Sequence, residues 1–239
     1  MSEETLALKG GWVVTQNPKR EIVKADVLIQ SGRIATVGKA GKADEVLDVS
    51  GCAVIPGLIN AHTHISMTLM RGIADDVNLD KFLEKTFKVD ALRTPDDILA
   101  GAELGALEML SSGCTSFLDM YYGQDQIAKA VTDTGIRGFL GWVALDEQFT
   151  TQKGSPLKNC ESFIGEHAGK ERIHPLVALQ GVYVCSEETL LGAKAIAEKK
   201  DTLLHMHLSE TRKEVYDHQA KTGKRPAHWL HDIGFLSER

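Results

Sequence analysis

The chain has 239 residues, 43% hydrophobic and 25% charged, which suits one sizeable core with or without a small satellite and excludes a disordered polymer. Its net charge of -6 is spread without a basic block, which argues against a nucleic-acid or anionic-membrane binder, and no apolar run approaches the roughly 20 residues of a membrane helix. The start MSEET has no secretory pattern, and three of the four cysteines lie in or beside apolar strand-like runs as buried free thiols, so a cytoplasmic setting is expected.

Up to about Pro56 the chain reads as all-β. Runs 6–15, 25–30 and 34–37 are β-prone, Ser31-Gly32 gives a two-residue link between the second and third, and 46–49 and 53–55 continue the pattern. From there strand and helix alternate. A short apolar strand, 58–61, ends in His62-Thr63-His64. Thr94-Pro95-Asp96-Asp97 supplies an N-cap, a first-turn proline and two acids. They open a helix with Ile98, Ala102, Ala106 and Leu110 at helical spacing, stopped at Gly113. Further strands are expected at 114–120, 136–144, 176–184 and 202–208, and helices at 126–134, 162–168 and 186–199. Thr211-x-x-Glu214 reads as a capping box for the next helix.

Five β-α units in series imply parallel strands with right-handed crossovers. A doubly wound nucleotide-binding sheet carries a Gly-rich turn after its first strand, where this chain has His-Thr-His. An α/β fold of the (β/α)8 TIM barrel type is the better reading, because such barrels place their chemistry at the C-terminal strand ends. Residues 1–56 are then the N-terminal strands of a small composite β-sandwich domain, and 57–239 a partial barrel of about five units. The residues after Pro56 are too few for the about 250 of a whole barrel. A longer chain, a homo-oligomer or a complementing chain is expected to supply the rest, and these residues alone are expected to be unstable or self-associating.

His62 and His64 are two apart at a strand end, so their imidazoles point to one side and converge. That suits a divalent metal, zinc most readily; a hydrogen-bonded pair of strand-end histidines is the plain alternative. His205 and His207 repeat the spacing on the fifth strand, and spacing alone leaves open which of them would join. His167, His174, His218, His228 and His231 lack partner spacing and read as ordinary surface or core residues.

The stretches VIPGLINAHTHISMTLMRGIADD, SSGCTSFLDMYY and LLHMHLSETRKEV together resemble the amidohydrolase superfamily. The resemblance runs over essentially the whole chain. It points to the branch of methylthioadenosine/S-adenosylhomocysteine deaminases, with guanine deaminases and triazine chlorohydrolases as near relatives. It implies a hydrolase in which His62, His64 and His207 hold one metal, zinc or else iron, and Glu210 shuttles protons to a small-molecule substrate, a purine nucleoside or related heterocycle. A metal-activated water would attack the ring carbon while Glu210 protonates the ring. The Leu-x-Glu-Thr that follows His207 selects it over His205, which becomes a packed neighbour of the ligands.

The same resemblance marks Asp90 as the acid that holds ribose hydroxyls and Arg137 as an arginine reaching the substrate tail, each with a solvated surface residue as the alternative. Gln180 stands where the branch usually has the histidine of Pro-His-Ser-Pro-Tyr; it can hydrogen-bond but cannot carry a proton at neutral pH, which bears on the exact substrate. Relatives with two bridged metals use a carboxylated lysine near this strand end, and none stands there, so one metal is expected. The family's fourth histidine and its metal-binding aspartate follow the sixth and eighth strands, so the chain reads as the N-terminal part of such an enzyme. Deamination of an adenine-type nucleoside is the leading reading. A chlorohydrolase or guanine-deaminase-like relative is one alternative, and a non-catalytic half-barrel that needs a partner chain is the other.

Overall fold

The computed structural model describes residues 4–237, and divides into two compact units that meet at Gly57 and Leu58. The first is one five-stranded sheet. Strands β1 (Thr5–Val14), β2 (Ile22–Gln30), β3 (Arg33–Gly38), β4 (Glu45–Asp48) and β5 (Ala53–Val54) are arranged β3-β2-β1-β4, with β5 also on β1. β1–β2 and β2–β3 are antiparallel, whereas β4 and β5 run parallel to β1. The β2–β3 link is tight because Ser31 and Gly32 both take positive φ, 49° and 73°, the pairing that a twisted two-residue hairpin needs. A bulge between Leu8 and Gly11 is held by Asp26, whose Oδ1 accepts the Gly10 N–H at 3.1 Å.

The second unit alternates strand and helix. Its strands are β6 (Leu58–Thr63), β7 (Cys114–Tyr121), β8 (Arg137–Ala144), β9 (Ile173–Leu179) and β10 (Leu204–Met206). They lie in the order β10-β9-β8-β7-β6, all parallel, so their C-terminal ends share one rim. The helices are α1 (Leu79–Asp90), α2 (Pro95–Ser111), α3 (Gln124–Thr134), α4 (Pro156–His167), α5 (Glu187–Lys200), α6 (Arg212–Thr222) and α7 (Pro226–Asp232). A 3-10 helix, Ile65–Met70, follows β6 directly.

The core sits on the three inner strands. Phe117, Met120, Leu140, Leu176 and Leu179 are almost wholly buried, each contributing about 2 kcal/mol by removal from water. Helix α2 carries the expected reciprocal cap between Thr94 and Asp97, and lies close on the 3-10 helix through Gly101. A Cβ added at Gly101 would stand 2.3 Å from the Ser66 carbonyl oxygen, so only glycine permits that approach.

Several expected boundaries move, for identifiable reasons. β9 stops at Leu179 because the next residues form a turn in which the Val184 and Cys185 N–H groups donate to the Gly181 carbonyl. β10 has three residues and ends before His207. Helix α1 was not among the expected elements although its signal was present: Leu79, Phe82, Leu83 and Phe87 recur at helical spacing, and Asn78 caps it by accepting the Lys81 N–H. Of the four free cysteines only Cys160 and Cys185 are buried; Cys114 is half-buried and Cys52 exposed. No helix among the described residues is long and apolar enough to cross a membrane.

Candidate metal centre

His62 lies near the end of β6, His64 one residue past it, and His207 one residue past β10. β6 and β10 are the two outer strands of their sheet. Laid flat, five strands at about 4.8 Å spacing would hold them about 19 Å apart. Instead the Nε2 atoms of His62 and His207 are 3.2 Å apart, so the sheet is curled. One ligand atom from each of His62, His64 and His207 falls within 4.8 Å of the others.

The rings of His62 and His64 are held in a way that frees a nitrogen for this point. His64 Nδ1 is 2.7 Å from the Met120 carbonyl oxygen, which can only accept, so Nδ1 bears the proton and Nε2 the lone pair. His62 Nδ1 is 2.8 Å from His205 Nε2, leaving His62 Nε2 toward His207. His205 thus adjoins the ligand set without joining it, as expected of a residue that orients a metal ligand. Burial pushes the pKa of His62, His64, His205 and His207 below the usual value, and the neighbouring rings reinforce this for His207, which falls to about 4. The rings are therefore neutral near pH 7, the form that binds a metal.

These residues fit a zinc ion. Zn–N bonds of about 2.0–2.1 Å at tetrahedral angles put two ligand nitrogens about 3.3 Å apart. The 3.2 Å between the His62 and His207 Nε2 atoms matches that edge. Three imidazoles make a nitrogen-rich set that suits zinc better than magnesium or calcium.

A cavity opens beside the histidines, lined by His64, His207, Asp90, Gln180 and Glu210 together with apolar walls that include Phe82, Phe87, Tyr121 and Phe149. Gln180 donates from Nε2 to the Tyr183 hydroxyl at 3.1 Å, and that hydroxyl is 3.4 Å from Glu210 Oε2. Three of the expected site residues, Asp90, Gln180 and Glu210, thus share one cavity with two of the three histidines.

A model of the amidohydrolase family matches residues 53–238. The chain belongs to that family. Among curated relatives it is 42% identical over 217 residues to the 5'-deoxyadenosine deaminase of Methanothrix thermoacetophila, covering 90% of this chain and 51% of that protein. It is 39% identical to the 5-methylthioadenosine/S-adenosylhomocysteine deaminase of Thermococcus kodakarensis, over 97% of this chain and 56% of that one. A solved adenosine deaminase from Xanthomonas campestris with bound zinc superposes with a TM-score of 0.91 at 28% identity, over 98% of this chain and 56% of its own. This amidohydrolase chain therefore spans about half the length of the relatives it matches. Its curled five-stranded sheet is the family's barrel fold over those strands, accompanied by a separate sheet.

One expected substrate contact needs correction, and for another the plain alternative falls away. Arg137 is exposed, and as the first residue of β8 it lies on the N-terminal rim, about 20 Å of strand away from the rim that carries the histidines. It does not enter the cavity. The surface alternative for Asp90 also fails, because its side chain is 3% exposed and paired at 2.9 Å with Arg93, itself 6% exposed. The other Asp90 oxygen accepts the Tyr121 hydroxyl at 2.5 Å, and with burial this raises the Tyr121 pKa. Arg93 reaches on to the Ser66 carbonyl at 2.8 Å, tying α1 to the segment after His64. Arg93 and Tyr121 escaped the sequence reading. The i, i+3 spacing of Asp90 and Arg93 was the available signal.

Proposed function

We propose that this chain supplies the metal-binding and proton-transfer residues of a hydrolytic deaminase acting on an adenine-type nucleoside such as 5'-deoxyadenosine or methylthioadenosine. His62, His64 and His207 hold one divalent metal, zinc. The observation that carries the reading is the convergence of these three neutral imidazoles beside a cavity containing Glu210, in an amidohydrolase whose relatives are named as deaminases of such nucleosides.

When bound, the metal supplies the acidity that makes water a nucleophile near neutral pH. The chain's own groups do the rest. Glu210 lies three residues beyond His207 and lines the cavity, where its carboxyl oxygens can pass a proton to a ring nitrogen and then to the departing amine. The hydroxyl of Tyr183, itself hydrogen-bonded by Gln180, keeps Glu210 Oε2 on the cavity side. Gln180 has no titratable group, so it orients and leaves proton transfer to Glu210. The apolar walls, Phe82, Phe87 and Phe149 among them, suit the flat face of a heterocycle and exclude water around it.

The test is zinc content and turnover measured together on His207→Ala and Glu210→Gln. His207→Ala is expected to lose the metal. Glu210→Gln is expected to keep it while kcat falls about 10²–10⁴-fold, the usual contribution of a general acid–base residue. Full metal content in the first variant, or unchanged turnover in the second, would overturn the assignment.

A further inference from the structure

The sequence pattern Thr211-x-x-Glu214 reads as a capping box, in which Glu214 would return to the Thr211 N–H. The structure keeps only half of that motif. Thr211 Oγ1 accepts the Glu214 N–H at 3.1 Å, but the Glu214 carboxylate reaches farther upstream. Its Oε1 accepts the Ser209 N–H at 3.0 Å and its Oε2 the Glu210 N–H at 2.6 Å. Ser209 has a φ of +57°, a left-handed conformation rarely taken by a non-glycine residue. That conformation turns two successive N–H groups to the same side, forming a small anion-binding concavity. Glu214 fills it from within the protein, and is 6% exposed.

The loop so held begins two residues after His207 and carries Glu210. The backbone of Glu210 is gripped by Glu214, while its side chain meets the Tyr183 hydroxyl. Two independent contacts thus fix both ends of one residue. A helix cap alone would require neither the two upstream N–H bonds nor the left-handed serine.

We propose that Glu214 is a positioning residue for the hydrolysis: it clamps the Ser209–Glu210 backbone and so sets where the Glu210 carboxyl group meets the substrate. The inference rests on the role given above to Glu210. Both carboxylate oxygens of Glu214 are engaged by the Ser209 and Glu210 N–H groups rather than by the three histidines. Its side chain acts through the loop, so losing the clamp lowers the rate without emptying the metal site.

The experiment compares Glu214→Gln, Glu214→Asp and Thr211→Ala in the purified protein, with Glu210→Gln as the reference. Zinc content, kcat, KM and amide hydrogen exchange across residues 208–211 are measured for each. Glu214→Gln keeps the size but opposes one N–H with an NH₂ group. It is expected to lower kcat about 10- to 100-fold, the scale of a misplaced catalytic group, with KM within about twofold and zinc retained. Exchange at Ser209 and Glu210 should speed up about tenfold or more. Glu214→Asp, which keeps both oxygens but shortens their reach, should show a smaller loss of the same kind and covers the case in which the glutamine variant folds poorly. Thr211→Ala weakens the helix cap without touching either upstream N–H, and should leave kcat and the loop exchange near the parent values. Equal effects in the Thr211 and Glu214 variants, or a kcat loss that tracks lost zinc, would overturn the clamp. Unchanged turnover in Glu210→Gln would instead remove the role of Glu210, while the exchange data would still show whether Glu214 holds the loop.

Discussion

The outer and inner strands of the second unit divide the labour between them. β6 and β10 carry the histidines, yet they are short or irregular: β6 shifts register twice against β7, and β10 has three residues with none fully buried. The inner strands β7, β8 and β9 carry the core and, at the end of β7, buried polar groups that serve the outer histidines. The Met120 carbonyl holds His64, and the Asp119 carboxyl group accepts the Ile65 N–H at 2.6 Å and the Gln124 amide at 2.7 Å. Reactive groups on loosely packed strands are thus held in place from the interior. The price is a fully buried acid one residue from the histidine's anchor.

That contrast has opposite signatures in pH. Burial raises the Asp119 pKa from 3.8 to about 7, against its hydrogen bonds to Ile65 and Gln124. A raised pKa means that the folded state binds the proton more tightly, so this contribution to stability is complete below about pH 4 and is lost as pH rises toward 7. The span is on the order of 4 kcal/mol. The histidines run the other way. Their folded pKa values lie below the ordinary 6.5, so their contribution is present above 6.5 and lost as pH falls, for His207 through about 4. In metal-free protein the two trends oppose each other between pH 4 and 6.5. Asp119→Asn should make stability rise more steeply with pH across that window, and His207→Ala should make it rise less or fall. Denaturation midpoints from pH 4 to 8, measured in the presence of a chelator, check this; parallel curves for both variants would break the comparison.

The sequence made the outer chemistry easier to read than the inner support. Strand alternation was enough to bring His62 and His64 together, and the parallel β-α order was enough to place them on the functional rim. It could not choose between His205 and His207, because both lie on one side of one strand and only the strand's stopping point separates them. Arg137 was misplaced although the signal was present: the residue opens its strand, and the opening end of a parallel strand faces away from the site. Glu214 was misread because the same four-residue pattern serves a helix cap and a loop clamp. The difference lies in the φ of Ser209, which no propensity reveals. Asp119, Gln124 and Arg93 were missed because a buried polar residue is recognised by its partners, and those partners come from distant parts of the chain.

A steric test of the interior comes next in size. Helix α2 presses on the 3-10 helix after His64 at Gly101, and the atom in the way of any Cβ there is backbone, the Ser66 oxygen at 2.3 Å. Gly101→Ala should cost about 3 kcal/mol, at the upper end for overpacking, because neither helix can yield by a rotamer change. Gly105→Ala should cost less, since its nearest atoms are the side chains of Ile65 and Thr68. Thermal melts with bound zinc measured alongside distinguish two outcomes. If Gly101→Ala also weakens the metal, the interior holds the His64 end of the site in place. If stability falls and metal binding does not, α2 supports the fold alone.

The smallest effect isolates a contact by which one outer strand orients a histidine of the other without the interior. His205 Nε2 lies 2.8 Å from His62 Nδ1, and it is the closest side-chain contact recorded for that nitrogen. His64 differs, because its Nδ1–H is held by a backbone carbonyl that mutation cannot remove. Outer partners of metal ligands commonly contribute 10- to 100-fold in metal affinity, about 1.4–2.7 kcal/mol. His205→Ala should therefore weaken zinc by about tenfold. His205→Gln, which offers an acceptor from nearly the same place, should recover part of that loss. An alanine variant that binds zinc as tightly as the parent would mean that the curl of the sheet alone orients His62, and that the outer strands need less help than the division of labour implies.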